Sequence, residues 1–171
     1  LRDTGPAGGL IFYIDEADEF DWTYLEAAPQ STQWTDKPWG DYGTEIGGDA
    51  ALTGLGDGQA ATDAIVAHMS GEGITGTAAQ ICDELDYNDY KDWFLPSQDE
   101  LGKIFVNLYK GTDENGVTYT PVGSFSSALY WSSSEYSSNN ALLRDFRSGG
   151  SPSTGTKQGG SLLRIRAVRA F

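Results

Sequence analysis

Short apolar runs separated by glycine and acidic residues make up the first part of the chain. Residues 8–15 form a β-branched and aromatic run after a Gly-Pro turn, and residues 22–28 form a second run that ends before a proline. Both runs are typical of β-strands. The segment that follows is rich in Gly, Asp and Trp, which predicts an ordered loop rather than a helix or strand. The aromatic candidates for anchoring this loop are Trp34, Trp39 and Tyr42.

Helical spacing of apolar residues appears in the middle of the chain. Residues 59–69 and residues 77–85 predict two helices. The sharpest local signal is Ser97 followed three residues later by Glu100, because this pair forms a capping box at the start of a helix. The apolar stripe expected to be buried behind this cap consists of Leu101, Ile104, Phe105 and Leu108.

The pattern of apolar and polar residues changes twice in the C-terminal part. Residues 129–134 predict a strand, and the sequence then loses any period until Leu162. Residues 162–171 alternate between apolar and basic side chains, as a half-buried strand does. We expect this last strand to pair with residues 11–14 and so to close the fold.

The composition favours one globular domain over residues 1–171. The chain has 39% hydrophobic residues, 22 glycines and one methionine, which favours short strands and loops over a helical bundle. The net charge of −14 disfavours nucleic acid and anionic membranes as partners. No apolar run approaches the length of a membrane span, so we expect no membrane insertion. Leu1 is not a natural start, and we expect targeting information upstream of it.

The charges are distributed unevenly along the chain. Residues 141–171 carry six basic side chains and one acidic one, whereas residues 1–140 carry five basic and twenty-four acidic ones. Three of the basic residues, Arg164, Arg166 and Arg169, lie in the last predicted strand. They can form an anion site, but internal salt bridges and protection of a strand edge are the favoured roles.

The residue types that usually carry catalysis are scarce. His68, the single histidine, lies within a predicted helix and has no distinctive serine context. Cys82, the single cysteine, lies in an amphipathic helix and is expected to be a buried structural thiol. The acidic residues between 15 and 21 favour a solvated loop over a calcium site. Trp93 and Trp131 are expected to be core residues. We therefore predict no catalytic residues, no metal site and no cofactor.

Several segments, in order, resemble one bacterial domain type. Residues 5–13 resemble its opening, residues 24–29 its second strand, and residues 92–101 (Asp-Trp-Phe-Leu-Pro-Ser-Gln-Asp-Glu-Leu) its signature. Residues 130–135 and 166–171 resemble its ending. This is the Lcl C-terminal-type domain of secreted and surface proteins. The resemblance implies an α+β, C-type-lectin-like fold with a twisted antiparallel sheet, two flanking helices, paired N- and C-terminal strands and long ordered loops.

A second, narrower resemblance is to the variable proteins of diversity-generating retroelements, some of which have the C-type-lectin fold. Adenine-specific mutagenesis rewrites their C-terminal segment, mainly at Asn codons, and does not produce Glu, Lys, Gln, Met or Trp. Between residues 136 and 164 only Lys157 and Gln158 belong to this excluded set, against twenty-four of the first 135 residues. The residues in this segment that look constant are Ala141, Phe146, Gly149, Lys157 and the Arg-Ile-Arg-Ala-Val-Arg run at 164–169.

We therefore predict a non-enzymatic receptor or adhesin domain, displayed outside the cell, whose residues 136–164 form a diversified surface for a protein or glycan on another cell or surface. The alternative is a constant glycan-binding lectin or adhesin, although the Glu-Pro-Asn, Gln-Pro-Asp and Trp-Asn-Asp motifs of calcium-dependent lectins are absent. A formylglycine-generating type of enzyme is disfavoured because the chain has one cysteine. The predicted contact residues are Tyr136, Ser137, Ser138, Asn139, Asn140, Leu142, Leu143, Arg144, Arg147, Ser148, Ser151, Ser153, Gly160, Ser161, Leu162 and Leu163.

Overall fold

A three-stranded antiparallel sheet joins the two ends of the chain. The computed structural model, which describes all of residues 1–171, places β1 (Leu10–Ile14) and β8 (Val168–Ala170) on either side of β2 (Tyr24–Ala27). The prediction that the N- and C-terminal strands pair directly is wrong, because β2 lies between them. Ala27 pairs with Leu10 on one side and with Val168 on the other, so β2 uses both of its edges.

A five-stranded sheet forms the rest of the β-structure, in the order β3-β7-β4-β5-β6. The neighbours β4 and β7 are parallel and the other pairs are antiparallel. The single C-terminal strand predicted over residues 162–171 is two strands, β7 and β8, which belong to different sheets. The bounds in this sheet are β3 (Trp34–Thr35), β4 (Leu129–Glu135), β5 (Asn140–Asp145), β6 (Ser151–Thr156) and β7 (Leu163–Ile165).

Three helices pack against the sheets, one more than the two flanking helices that the resemblance implies. They are α1 (Gly58–Gly71), α2 (Ala78–Asp83) and α3 (Gln98–Ile104), which continues into a π-helical turn (Phe105–Tyr109). The predicted helices of the middle region are confirmed to within a few residues. The longest helix has 14 residues, and none has both the length and the hydrophobicity needed to cross a bilayer.

The predicted capping box begins α3 and also holds the start of α1. The Ser97 hydroxyl accepts a hydrogen bond from the Glu100 amide at 3.2 Å, and the Ser97 amide donates to Glu100 Oε2 at 2.8 Å. The other carboxylate oxygen, Oε1, accepts from the amides of Gly56 and Gly58. The predicted stripe behind the cap is buried in full.

Two hydrophobic clusters lie on opposite faces of the five-stranded sheet, because successive strand residues point to opposite sides. Tyr130 packs with α3 and the three-stranded sheet, while Trp131 packs with the side chains of α1 and α2. The predicted core residues Trp93 and Cys82 are buried. The aromatic anchor of the long loop is Trp39, which is fully buried. Trp34 is half-buried, and Tyr42 is 50% exposed and anchors nothing, so the prediction for Tyr42 is wrong.

Candidate binding surface

The predicted recognition segment contains a β-hairpin rather than irregular chain. In β5, Ala141 and Leu143 are buried against the first cluster, and Leu143 pairs with Trp131 of β4. Gly155 of β6 lies directly over this pair, since a Cβ atom at 155 would lie 2.8 Å from both the Trp131 ring and the Leu143 side chain. One face of the hairpin is therefore fixed by close packing.

A buried ion pair fixes the end of β6. The Lys157 ammonium donates to Glu135 Oε1 and to the Thr44 carbonyl oxygen, and Lys157 is fully buried. The Glu135 carboxylate also accepts from the amides of Ile46 (3.0 Å) and Gly47 (2.7 Å). These bonds hold the loop of residues 44–47 against the sheet. The ion pair therefore fixes the position of this loop and of the end of β6.

Most of the residues predicted to be framework lie in the core of the segment. Ala141, Phe146 and Lys157 are buried, as are residues 165–169, whereas Arg164 is half-buried. Phe146 packs between Phe105, Tyr109, Phe125 and Tyr130. Gly149 is exposed but has φ of +73°, a conformation that favours glycine.

The turn between β4 and β5 presents an exposed tyrosine. Tyr136 is 65% exposed, and Tyr42 lies in a neighbouring loop that the Gly43 amide joins to the Ser138 carbonyl oxygen at 2.9 Å. Asn139 is exposed in the same turn. We call this set the turn patch: Tyr42, Tyr136, Ser137, Ser138, Asn139 and Asn140. Sequence reasoning missed Tyr42 as a surface residue because its Gly- and Asp-rich context carries no signal of exposure.

The connection between β5 and β6 presents a charged group and small polar side chains. Arg147 donates to both carboxylate oxygens of Asp145, at 2.9 and 2.8 Å. This hydrogen bonding lowers the pKa of Asp145. Gly150 turns the chain back with φ of +71°, and a Cβ atom there would collide with the Phe105 ring. Residues 160–162, which precede β7, add to this end of the sheet. We call the combined set the hairpin patch: Arg147, Ser148, Ser151, Gly160, Ser161 and Leu162.

Strand β6 forms a free edge of the sheet between the two patches. Residues 151–154 are exposed on both faces of the strand. Ser153 is therefore available to a partner, although Leu143, the residue opposite it in β5, is buried. An edge strand presents unpaired backbone N–H and C=O groups that a partner can bind.

Four of the predicted contact residues do not form this surface. Leu143 and Leu163 are buried, so their assignment as contact residues is wrong. Neighbouring side chains point to opposite sides, and in each adjacent pair of leucines the second points into the core. Leu142 is half-buried in the middle of β5, away from both turns. Arg144 is half-buried under α3, where it donates to the carbonyl oxygens of Gln98 (3.0 Å) and Gly150 (2.8 Å), so its contacts are internal.

The exposed residues form two patches at opposite ends of the sheet rather than one face. The turn after β4 lies beyond Glu135, whereas the turn after β5 lies beyond Asp145, which pairs with Leu129 at the start of β4. Leu162 lies near this second end because Leu163 also pairs with Leu129. Consecutive turns of an antiparallel meander alternate between sheet ends, so residues 136–164 do not form one continuous surface.

The remaining candidate chemistry has internal explanations. The His68 ring lies 3.2 Å from Asp41 Oδ2, and this contact lowers the pKa of Asp41. One oxygen of Asp15 accepts from the Phe20 amide at 2.9 Å. No group of three or more His, Cys, Asp or Glu side chains is arranged to hold a metal ion.

Two of the C-terminal arginines, Arg169 and Arg164, have different partners. Arg169 pairs with buried Glu26 and with Asp92, and its hydrogen bonds lower the pKa of Asp92. Arg164 donates to the carbonyl oxygens of Ser161 and Leu163. The favoured role of an internal salt bridge is therefore confirmed for Arg169 alone.

Comparison with known proteins adds no assignment. No protein-family model matches the chain. A search of curated proteins likewise finds no significant match.

Proposed function

We propose that the protein is a non-enzymatic receptor or adhesin domain with a C-type-lectin-like fold, displayed outside the cell, and that its residues 136–164 carry a diversified recognition surface. The mixed α+β architecture with both chain ends in one sheet is compatible with that fold. The resemblance in the sequence supports the finer assignment. The protein's partner is then a protein or glycan on another cell or surface.

One observation carries the proposal: burial separates the segment into two residue sets. Most of the framework set is buried, including Ala141, Phe146 and Lys157, whereas the contact set is exposed or half-buried except for Leu143 and Leu163. Residues that are rewritten without regard to folding cannot lie in a close-packed core. The segment thus has positions whose side chains can change while the frame stays the same.

The chemistry of the two patches suits recognition by shape and by hydrogen bonds. The turn patch supplies Tyr42 and Tyr136, and the hairpin patch supplies Arg147, Leu162 and serines. Tyr, Ser, Asn and Arg are the residues that antibody loops use, because they combine a large rigid contact with adaptable polar groups. Because the two patches are separate, either the partner is large enough to contact both ends of the sheet or one of the patches dominates binding.

The genome provides the test of diversification. We expect a reverse transcriptase gene near this one and a near-identical template repeat that matches codons 136–171. Adenine positions of the template should fall on codons of exposed residues such as Tyr136 and Ser151, and framework codons such as those of Ala141 and Phe146 should match without change. A locus with no such repeat would contradict the diversified surface.

The alternative is a constant glycan-binding domain, and the two exposed tyrosines in neighbouring loops, Tyr42 and Tyr136, favour it. An exposed tyrosine offers a flat apolar ring and a hydroxyl, which suit contact with a sugar. A glycan array together with the genomic locus separates the two proposals, because a diversified receptor has the template repeat whether its partner is a protein or a glycan. A constant lectin binds one glycan class and loses this binding with Tyr136→Ala, whereas Leu162→Ala at the other sheet end has no effect. A receptor for a protein partner shows no glycan preference.

A further inference from the structure

Arg166 is the only buried cation of the core that has no carboxylate partner, since Lys157 pairs with Glu135 and Arg169 pairs with Glu26. Its side chain is 1% exposed, yet no carboxylate lies within salt-bridge distance of it. Its guanidinium donates to the carbonyl oxygens of Ala28 (2.9 Å) and Gly123 (3.2 Å) and to Gln33 Oε1 (2.9 Å), and it stacks on the Phe125 ring. The positive charge is thus held by neutral groups only.

The hydrogen-bonding capacity of this guanidinium is not used up. An arginine has five N–H donors, and three bonds are formed here. The Nε atom is buried and has no partner. Burial without a nearby anion lowers the pKa of Arg166 to about 10. A buried charge with a free donor is costly unless a partner of opposite charge joins it.

A cavity of about 220 Å³ lies against this side chain. Its walls are mostly apolar or backbone. Gly8 and Gly9 precede β1 and Leu10 begins it, while Ala27 ends β2 and Ala28 follows it. The remaining lining residues are Pro29, Gln30, Gly123, Ser124, Phe125 and Arg166.

We propose that this cavity binds a small organic carboxylate, with Arg166 as the group that recognises the anion. The planar guanidinium matches a carboxylate and can bind it through two parallel N–H bonds. The apolar walls formed by Leu10, Ala27 and Phe125 suit a short hydrocarbon body. The cavity is smaller than the usual drug-sized pocket of about 300–1,000 Å³, so the ligand is a monocarboxylate of a few carbons.

The wall formed by the loop from Pro121 to Ala128 can admit such a ligand. Residues 121–128 form no helix or strand. Ser124 is exposed and has φ of +50°, which is uncommon for a residue other than glycine. Backbone strain of this kind concentrates at functional sites. The Gly123 carbonyl oxygen and the Phe125 ring of this loop both contact the guanidinium, so a shift of the loop that admits the ligand would also expose the guanidinium.

Butyrate is a suitable probe, and butyramide is its neutral isostere. We expect butyrate to shift the NMR amide signals of Gly8, Gly9, Gly123 and Ser124 in a saturable way at constant ionic strength. Butyramide should bind at least about tenfold more weakly, because it lacks the charge that pairs with Arg166. Equal binding of the two probes, or shifts that centre on Arg147, would overturn the proposal.

Variants of Gln30 test the charge without disturbing the core. Gln30 is exposed at the rim and its side chain makes no hydrogen bond that holds the fold. Gln30→Glu should weaken butyrate binding about threefold to tenfold and Gln30→Lys should strengthen it by a similar factor, whereas Gln30→Ala changes little. Butyramide binding should be the same in all three. No charge effect across this series would contradict the assignment.

Arg166→Met removes the recognising group and should abolish butyrate binding, and Arg147→Met is the matched exposed control that should retain it. If Arg166→Met does not fold, the Gln30 series decides the question. The outcome is independent of the proposed recognition surface, because neither the turn patch nor the hairpin patch lines this cavity.

Discussion

At the scale of single residues, Ser97 links two helices. Its hydroxyl caps α3 and also donates to the Gly54 carbonyl oxygen at 2.6 Å, just before α1. Ser97→Ala should therefore lower the free energy of unfolding by about 1–2 kcal/mol, the upper range for loss of an N-cap. Ser151→Ala, at an exposed position, should change it by less than about 0.5 kcal/mol. Urea unfolding of the two variants checks this, and equal stability of both would contradict the role of the cap.

Glu100 makes the stability of the fold depend on pH between 4.5 and about 7. Burial raises its pKa from 4.5 to about 7, although the amides of Ser97, Gly56 and Gly58 favour the charged form. Between these two pH values the folded state binds more protons than the unfolded state. Stability therefore falls as the pH rises from about 4.5 to 7, by at most about 1.4 kcal/mol per pH unit. Glu100→Gln should lose this slope in urea titrations at several pH values, and an unchanged slope would contradict the assignment.

Lys157 should be far more important for stability than an exposed lysine. Lys157→Met leaves the Glu135 carboxylate buried without its cation, which should cost about 3–5 kcal/mol. Lys91, whose partner Asp86 is also exposed, is the matched control, and Lys91→Met should cost less than about 1 kcal/mol. Thermal melts distinguish the two. A small effect of Lys157→Met would show that the ion pair does not hold the recognition segment.

At the scale of elements, strong local patterns could be predicted and weak ones could not. Strands β1, β2 and β4 and the three helices follow from periodicity or caps. Strand β6 was missed because Pro152 and Gly155 interrupt it and its side chains face solvent on both sides. Strand β5 was missed because Leu142 occupies an outward position beside buried Leu143, which hides the alternation. Proline is tolerated there because β6 is an edge strand with one unpaired side.

The C-terminal run shows why strand partners could not be predicted. Apolar and basic side chains alternate through both β7 and β8, so the pattern is the same whichever sheet receives them. The break at Arg166 and Ala167 becomes visible only when β7 pairs with β4 and β8 pairs with β2. Tertiary contacts, rather than the local sequence, choose these partners.

Deletion of residues 166–171 should unfold the protein. It removes β8, exposes the edge of β2 and leaves Glu26 buried without Arg169. Arg169→Met keeps the strand and removes only the charge, so it should remain folded with a free energy of unfolding lower by about 3–5 kcal/mol. Circular dichroism melts test the pair. A cooperative transition in the deletion variant would show that β8 is dispensable.

At the scale of the whole molecule, one rigid frame carries two exposed patches. The sequence predicted most exposed members of the segment, because polar residues without a period indicate surface. It could not separate Leu142 from Leu143 or Leu162 from Leu163, because the orientation of each leucine depends on strands that the pattern did not reveal. The distribution between two sheet ends likewise depends on the order of the strands.

The central claim is that the exposed positions can vary while the frame cannot. The most direct measurement is thermal melting of two pools built with the same codon mixture. Members of the exposed pool should mostly melt within roughly 10 °C of the parent, because each surface change costs about 0.5 kcal/mol or less. Members of the framework pool should mostly lack a cooperative transition. The exposed pool varies Tyr136, Asn139, Arg147, Ser148, Ser151, Ser153, Ser161 and Leu162, and the framework pool varies Ala141, Leu143, Phe146 and Leu163. An exposed pool that mostly unfolds would contradict the account.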